Sequence, residues 1–340
     1  MIALHRRKVA ALALSGLAAP ALASATQAQS VPPRASSPPA VEAAIKRFSQ
    51  LKVTNAGCAV AAAAPNGGWF QGYNENAVLF VGSAIKTFIL AQYLRGVEND
   101  LAGAERKQLT IDDTVRSLGS SVFGDQSTDD PLVLAGRTRT RNVLEAMIAH
   151  SDNTATDAVM AAAGVANVRA LIAEAKLATV QIPTSTRRLF IYLASGEDRD
   201  MSWSEVKALM AHPTKPQSPL NSVQSMKSSA NDMLAWYFAA FNGRFFRKPE
   251  TLLEFKRIQA MADALSKVVP RDTAAYGKGG SIEWNGFNCL SVPGQMMVRG
   301  VPVTFCFTIN WAGGPETFGP TAAAFQDAVA VVLSESAKSV

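Results

Sequence analysis

Strand-like runs fall at the two ends of this chain, and helical runs fill the middle. Near the N-terminus, residues 57–64 and 68–73 alternate or run apolar on either side of Pro65-Asn66-Gly67, a strong hairpin signal. Near the C-terminus three more runs follow one another, 274–283, 286–299 and 301–311, with Arg299-Gly300 as a tight connection between the last two. Between these ends lie helical stretches at 83–98, 140–149, 167–176 and 230–242. Val41, Ala44, Ile45, Phe48 and Leu51 mark an amphipathic helix before the first strand, and an apolar-periodic helix over 320–333 closes the chain. The order predicts an α+β fold: an antiparallel sheet built from N- and C-terminal segments (41–82 and 270–335), flanked by helices, with an all-helical region (83–269) inserted. A site is expected where the two regions meet. Residues 177–229, broken by Pro183, Pro213, Pro216 and Pro219, read as a long loop with a short helix near 203–210.

The first 28 residues read differently from the rest. A basic cluster, His5-Arg6-Arg7-Lys8, precedes an uncharged apolar stretch over 9–23, with small residues suited to cleavage between Ala23 and Ala28. That is the pattern of a secretory signal peptide. Ser15, Gly16 and Pro20 interrupt the stretch, which falls short of the roughly 20 continuous apolar residues of a membrane span. The segment 29–40, rich in Pro and Ser, reads as a flexible leader. Removing Arg6, Arg7 and Lys8 with the signal halves the formal charge of +6, and the remaining basic residues are scattered. Nothing marks a nucleic-acid surface or a stable membrane anchor, so a periplasmic or secreted monomer acting on a small molecule is expected.

Cys58, Cys289 and Cys306 match no zinc spacing and are too few for a disulfide framework. Buried thiols are the simpler expectation, with a single bridge from Cys58 to Cys306 left open. After the signal only His150 and His212 remain, which disfavours a histidine metal site and leaves few bases for a Ser-His-Asp arrangement. No metal or cofactor is expected, and a nucleophilic serine here would look to lysine for activation.

Ser83-Ala84-Ile85-Lys86 opens a helix, and residues three apart share a helix face, so the amine can approach the hydroxyl. Buried, that amine would lose its charge and accept the serine proton. The spacing alone is weak, because Ser49-Gln50-Leu51-Lys52 and Ser204-Glu205-Val206-Lys207 repeat it. Two further motifs single out Ser83: Ser151-Asp152-Asn153 after the helix at 140–150, and Lys278-Gly279-Gly280 on the first of the late strands. In this order they resemble the signature of class A β-lactamases and penicillin-binding proteins, over about residues 41–335.

The resemblance implies the β-lactamase/transpeptidase-like fold and a set of roles. Ser83 would be acylated, with Lys86 as its base; Ser151 would protonate the leaving nitrogen, and Lys278 would hold that hydroxyl and supply positive charge. Asn153 would bind the substrate's side-chain amide. The backbone N–H groups of Ser83 and Ser281, with Gly280 between motif and strand, would form the oxyanion hole. Asp152 would satisfy nearby backbone donors. A β-lactam or peptidoglycan-like small molecule is the implied substrate.

Two departures qualify the match. Gly279 stands where the family has a hydroxyl residue that helps hold the substrate carboxylate, and Ser281 is two residues away on the same strand face. The Glu-x-x-Leu-Asn stretch whose Glu clears the acyl-enzyme in class A is absent; the region reads Pro183-Thr184-Ser185-Thr186-Arg187-Arg188-Leu189-Phe190. Glu197 and Glu205 are the substitutes further along. These departures keep a D-alanyl-D-alanine peptidase or esterase as the alternative, and a binding protein without turnover as a third reading.

Overall fold

The computed structural model describes residues 35–64, 67–123 and 135–340. The signal segment, residues 29–34 of the expected leader, and Pro65 and Asn66 of the hairpin lie outside the described residues. Within the segment read as a leader, residues 35–40 are engaged with Phe70 and with the start of the first helix. Phe70 N donates to Ala35 O at 2.9 Å, Ser36 bridges Phe70, and helix α1 begins at Pro39, where a first-turn proline costs no backbone bond.

The strands are β1 (Asn55–Ala62), β2 (Trp69–Tyr73), β3 (Leu79–Phe80), β4 (Gln108–Ile111), β5 (Gly136–Arg139), β6 (Lys227–Ser228), β7 (Ala274–Gly277), β8 (Gly280–Trp284), β9 (Phe287–Val298) and β10 (Val301–Ala312). The main sheet runs β2-β1-β10-β9-β7, with β8 also on β9, and all its pairs are antiparallel. The first strand thus pairs directly with the last, and the second extends the sheet at its edge. Arg299 and Gly300 both have positive φ (49° and 82°), which lets a two-residue turn match the strand twist between β9 and β10. Asn285-Gly286 does the same between β8 and β9.

The late strand expected over 274–283 is broken into β7 and β8 at Lys278-Gly279. The break lies opposite Pro293 of β9, which has no N–H to donate, and Lys278 N reaches the Pro293 carbonyl at only 3.3 Å. The ladder relaxes where the lysine must turn toward the cleft. β4 with β5 forms a small ribbon inside the region read as helical, and β6 of that region pairs with β3, just before it.

The helices after α1 are α2 (Lys86–Gly96), α3 (Leu101–Arg106), α4 (Thr140–Ala149), α5 (Asn153–Ala163), α6 (Val165–Glu174), α7 (Thr186–Ser195), α8 (Trp203–Ala211), α9 (Ala230–Phe241), α10 (Pro249–Gln259) and α11 (Pro315–Lys338). One face of the sheet packs on α9, the other on α1 and α11. Phe48 of α1 stands edge-on to Phe307 of β10 (5.3 Å) and to Phe325 of α11 (6.2 Å). Truncating a buried aromatic of this kind costs about 3–5 kcal/mol.

The same register settles the cysteines. Cys58 pairs with Phe307 and therefore faces α1 and α11, whereas Cys306 pairs with Ala59 on the opposite face. A Cys58–Cys306 bridge is excluded by the sheet itself; all three thiols are buried and free, and burial raises their pKa values, that of Cys306 to about 12.

Candidate active site

Ser83 sits in a single 3-10 turn, Gly82–Ile85, that leads into α2. Its approach is clamped from the sheet: Asn310 of β10 accepts from Phe80 N at 3.0 Å and donates to Phe80 O at 2.9 Å. Gly82 has φ 55°, and a Cβ there would fall 2.9 Å from Ser281 N. A Cβ on Gly280 would fall 2.8 Å from both Ser83 N and Ala84 N. Only glycine at 280 lets β8 lie against the serine turn, and this contact brings the Ser83 and Ser281 backbones together.

Lys86 is fully buried. Its Nζ lies 2.7 Å from Ser151 O, 2.7 Å from Asn153 Oδ1 and 3.3 Å from Ser151 Oγ. Burial drives its pKa well below the usual lysine value, the nearby Lys278 lowers it further, and Asp152 and Asp157 oppose this. Two strong acceptors and one hydroxyl suit a neutral amine, which donates two hydrogens and accepts one. Next to it, Thr87 accepts from Trp236 Nε1 (3.0 Å) and Gln259 Nε2 (2.8 Å), which fixes the start of α2.

Ser151 lies between α4 and α5 with φ 58°, a left-handed conformation that costs a non-glycine residue about 1–3 kcal/mol. The Lys86 bond to its carbonyl helps hold it there. Asp152 caps α5 through Ala155 N (2.8 Å) and also accepts from Val122 N (2.8 Å) and Phe123 N (2.9 Å), the supporting role expected of it. Asn153 differs from expectation: its amide oxygen serves Lys86 and its Nδ2 donates to Leu118 O at 2.6 Å. It braces the lysine, with one N–H and one lone pair remaining.

Lys278 is buried opposite, and burial lowers its pKa to about 7 against a raising influence from Asp263. Its Nζ bonds the Gly279 carbonyl at 2.8 Å, rather than the Ser151 hydroxyl. Ser151, Lys278, Gly280 and Ser281 line one cleft of about 340 Å³. The structure therefore gathers Ser83, Lys86, Ser151, Asn153, Lys278, Gly280 and Ser281 at the junction of sheet and helical region. The other two Ser-x-x-Lys serines stand elsewhere, Ser49 at the end of α1 and Ser204 exposed in α8.

Neither substitute carboxylate is at this site. Glu197 pairs with Arg199 at 2.6 Å on the surface, and Glu205 completes a capping box with Ser202 at the start of α8. The segment 183–195, read as loop, is largely helix α7, capped by Ser185 and ended by Gly196 in left-handed conformation. Its aromatic and β-branched residues hide the helix from pattern reading. Asp157, one turn past Asn153, receives Thr186 N (2.7 Å), Thr186 Oγ1 (2.8 Å) and Arg187 N (3.0 Å). Burial nevertheless pushes its pKa up to about 6, outweighing those three donors. The i+4 spacing from Asn153 was the only sequence signal for it. Trp284 at the end of β8 donates to Gln217 O at 3.1 Å and lies against Phe190, so the 196–226 segment is tied to the sheet edge.

Among the described residues, no group of His, Cys, Asp and Glu could hold a metal ion. The same fold occurs in PBP-A (TM-score 0.64, 14% identity, covering 91% of this chain and 99% of that one). It also occurs in TLA-3 extended-spectrum β-lactamase (0.64, 12%, 88% and 98%) and in a β-lactamase from Chitinophaga pinensis (0.62, 13%, 88% and 98%). The architecture is thus that of the β-lactamase/transpeptidase-like proteins. The model of the Beta-lactamase enzyme family matches residues 40–285, and the chain belongs to that family, as a β-lactamase-like hydrolase. No curated protein matches the sequence significantly.

Proposed function

We propose that this protein is an exported serine hydrolase that opens β-lactam amides through an acyl-Ser83 intermediate, acting as a monomer in the periplasm or outside the cell. The observation that carries this reading is the buried Lys86 amine, one turn past Ser83 and linked to both Ser151 and Asn153. Ser83 Oγ attacks the carbonyl carbon and its proton passes to the neutral Lys86 amine. The developing oxyanion is held by the N–H groups of Ser83 and Ser281, worth about 10²–10³ in rate per donor. Lys86 returns the proton through the Ser151 hydroxyl to the leaving nitrogen as the C–N bond breaks, and the Lys278 charge favours this transfer. Water then hydrolyses the ester and restores Ser83.

A D-alanyl-D-alanine peptidase or esterase on the same fold is the second reading. It is favoured by the surface engagement of Glu197 and Glu205, which takes both substitute carboxylates away from the acyl ester. Intact-mass spectrometry over time after mixing with benzylpenicillin, beside Ser83→Ala, separates the two. A transient adduct that needs Ser83 supports the β-lactamase; a persistent one supports the peptidase. No adduct, or an adduct retained in Ser83→Ala, overturns the β-lactam reading.

A further inference from the structure

The cleft beside Ser151 has a wall that the catalytic groups do not explain. It is formed by Asp263, Ala264, Lys267 and Val268, from the segment between α10 and β7. That segment is held in place: Ala262, Leu265 and Val268 are buried, and Leu265 N and Val268 N close tight turns on Ala262 O and Leu265 O at 3.2 and 3.1 Å. Any side chain at position 279 would project into the Ala264 methyl group. A hydroxyl after Lys278 is therefore sterically excluded in this chain, and Ala264 fills its place.

The wall supplies charge in exchange. Lys267 is exposed into the cleft and forms no ion pair among the described residues. Asp263 is the only carboxylate among the described residues lining the cleft, and its Oδ2 turns to His150 Nδ1 at 3.5 Å. With Lys278 on the facing wall, two amines stand against one carboxylate that has a partner of its own. A solvent-open cleft with low-dielectric walls and a positive excess concentrates anions.

We propose that Lys267 is a specificity-determining residue that, with Lys278, seats a carboxylate of the substrate against the 263–268 wall. Carboxylate recognition is thereby moved from the strand after Lys278 to the segment packed over it. Lys267 takes no part in bond breaking. The substrate class rests on the acyl-Ser83 reading, whereas the seat is a binding property that can be measured without turnover.

Calorimetric titration of benzylpenicillin and its methyl ester into Ser83→Ala, at one pH and low salt, tests this. The free acid is expected to bind more tightly than the ester. Adding Lys267→Met should weaken the acid about five- to tenfold and the ester less than twofold, while Lys267→Arg keeps most of the preference. Asp263→Asn should strengthen binding of the acid. Equal binding of acid and ester, equal losses on Lys267→Met, or no measurable binding of the acid overturns the seat. An adduct on the wild type without an acid preference refutes the seat alone; an acid preference without any adduct refutes the acyl-Ser83 reading alone.

Discussion

The acylation wall and a second wall, the 183–226 segment packed beside it, are built from opposite materials. On the acylation side, the Lys86 amine of α2 reaches Ser151 and Asn153 at 2.7–3.3 Å, and β8 lies against the Ser83 turn through Gly280. In the 183–226 segment, which packs on Asn153 and Asp157 through Thr186 and on the end of β8 through Gln217, the polar groups are engaged locally. Asp157 caps α7, Glu205 caps α8, Glu197 holds Arg199, and Arg188 holds Asp198 at 2.6 Å. Forming an acyl-enzyme needs proton transfer over short distances, which the first wall provides. Removing the acyl group needs a water and a base, for which the second wall offers no free carboxylate. The pairing makes release, rather than acylation, the step expected to limit turnover.

The strongest way to break this contrast is to disable the first wall. Lys86→Ala should slow acylation by benzylpenicillin about 10²–10⁴-fold in stopped-flow or mass measurements; an unchanged rate would move the base elsewhere. Gly280→Ala comes next, because its methyl group meets backbone atoms that cannot rotate away. A loss of about 10²-fold in acylation is expected, with a lowered Tm, and a variant that acylates normally would dissolve the link between β8 and the serine turn.

A smaller effect separates the two lysines. Lys86, with its pKa well below normal, works as the neutral form, so acylation rises with pH on the acid side. Lys278, with a pKa of about 7, works charged, so acylation declines as pH passes that value. The pH profile of the acylation rate should be a bell whose alkaline limb is lost in Lys278→Arg, which stays charged. A limb that stays in place would assign it to another group. The smallest effect tests the second wall. Glu197→Gln and Glu205→Gln should each leave the release rate of the acyl group within about twofold, since both are exposed and engaged locally. A large drop in either would give that wall its base after all.

Much of the catalytic side was legible because it is local in sequence. The i, i+3 pair Ser83 and Lys86 follows from helical periodicity, and Arg299-Gly300 marks a turn that glycine permits. The second wall was not legible, because what matters there is which distant donor reaches each carboxylate. Thr186 and Arg187 are 29 and 30 residues from Asp157, and nothing in the spacing pairs them. Glu197 and Glu205 are taken up by Arg199 and Ser202 close by, a choice of rotamer and partner that spacing does not set.

The sequence by itself determined the sheet built from both chain ends, the serine that heads α2 and the company that sets it apart from Ser49 and Ser204. These depend on periodicity, turn chemistry and motif order, which are properties of short stretches. Tertiary structure alone decided that Lys86 reaches Ser151 and Asn153, that Cys58 and Cys306 face opposite sides of one sheet, and that Ala264 takes the space beside Gly279. Those outcomes depend on burial and close contact between segments far apart in the chain, where a single methyl group or carbonyl determines which chemistry a residue type can perform.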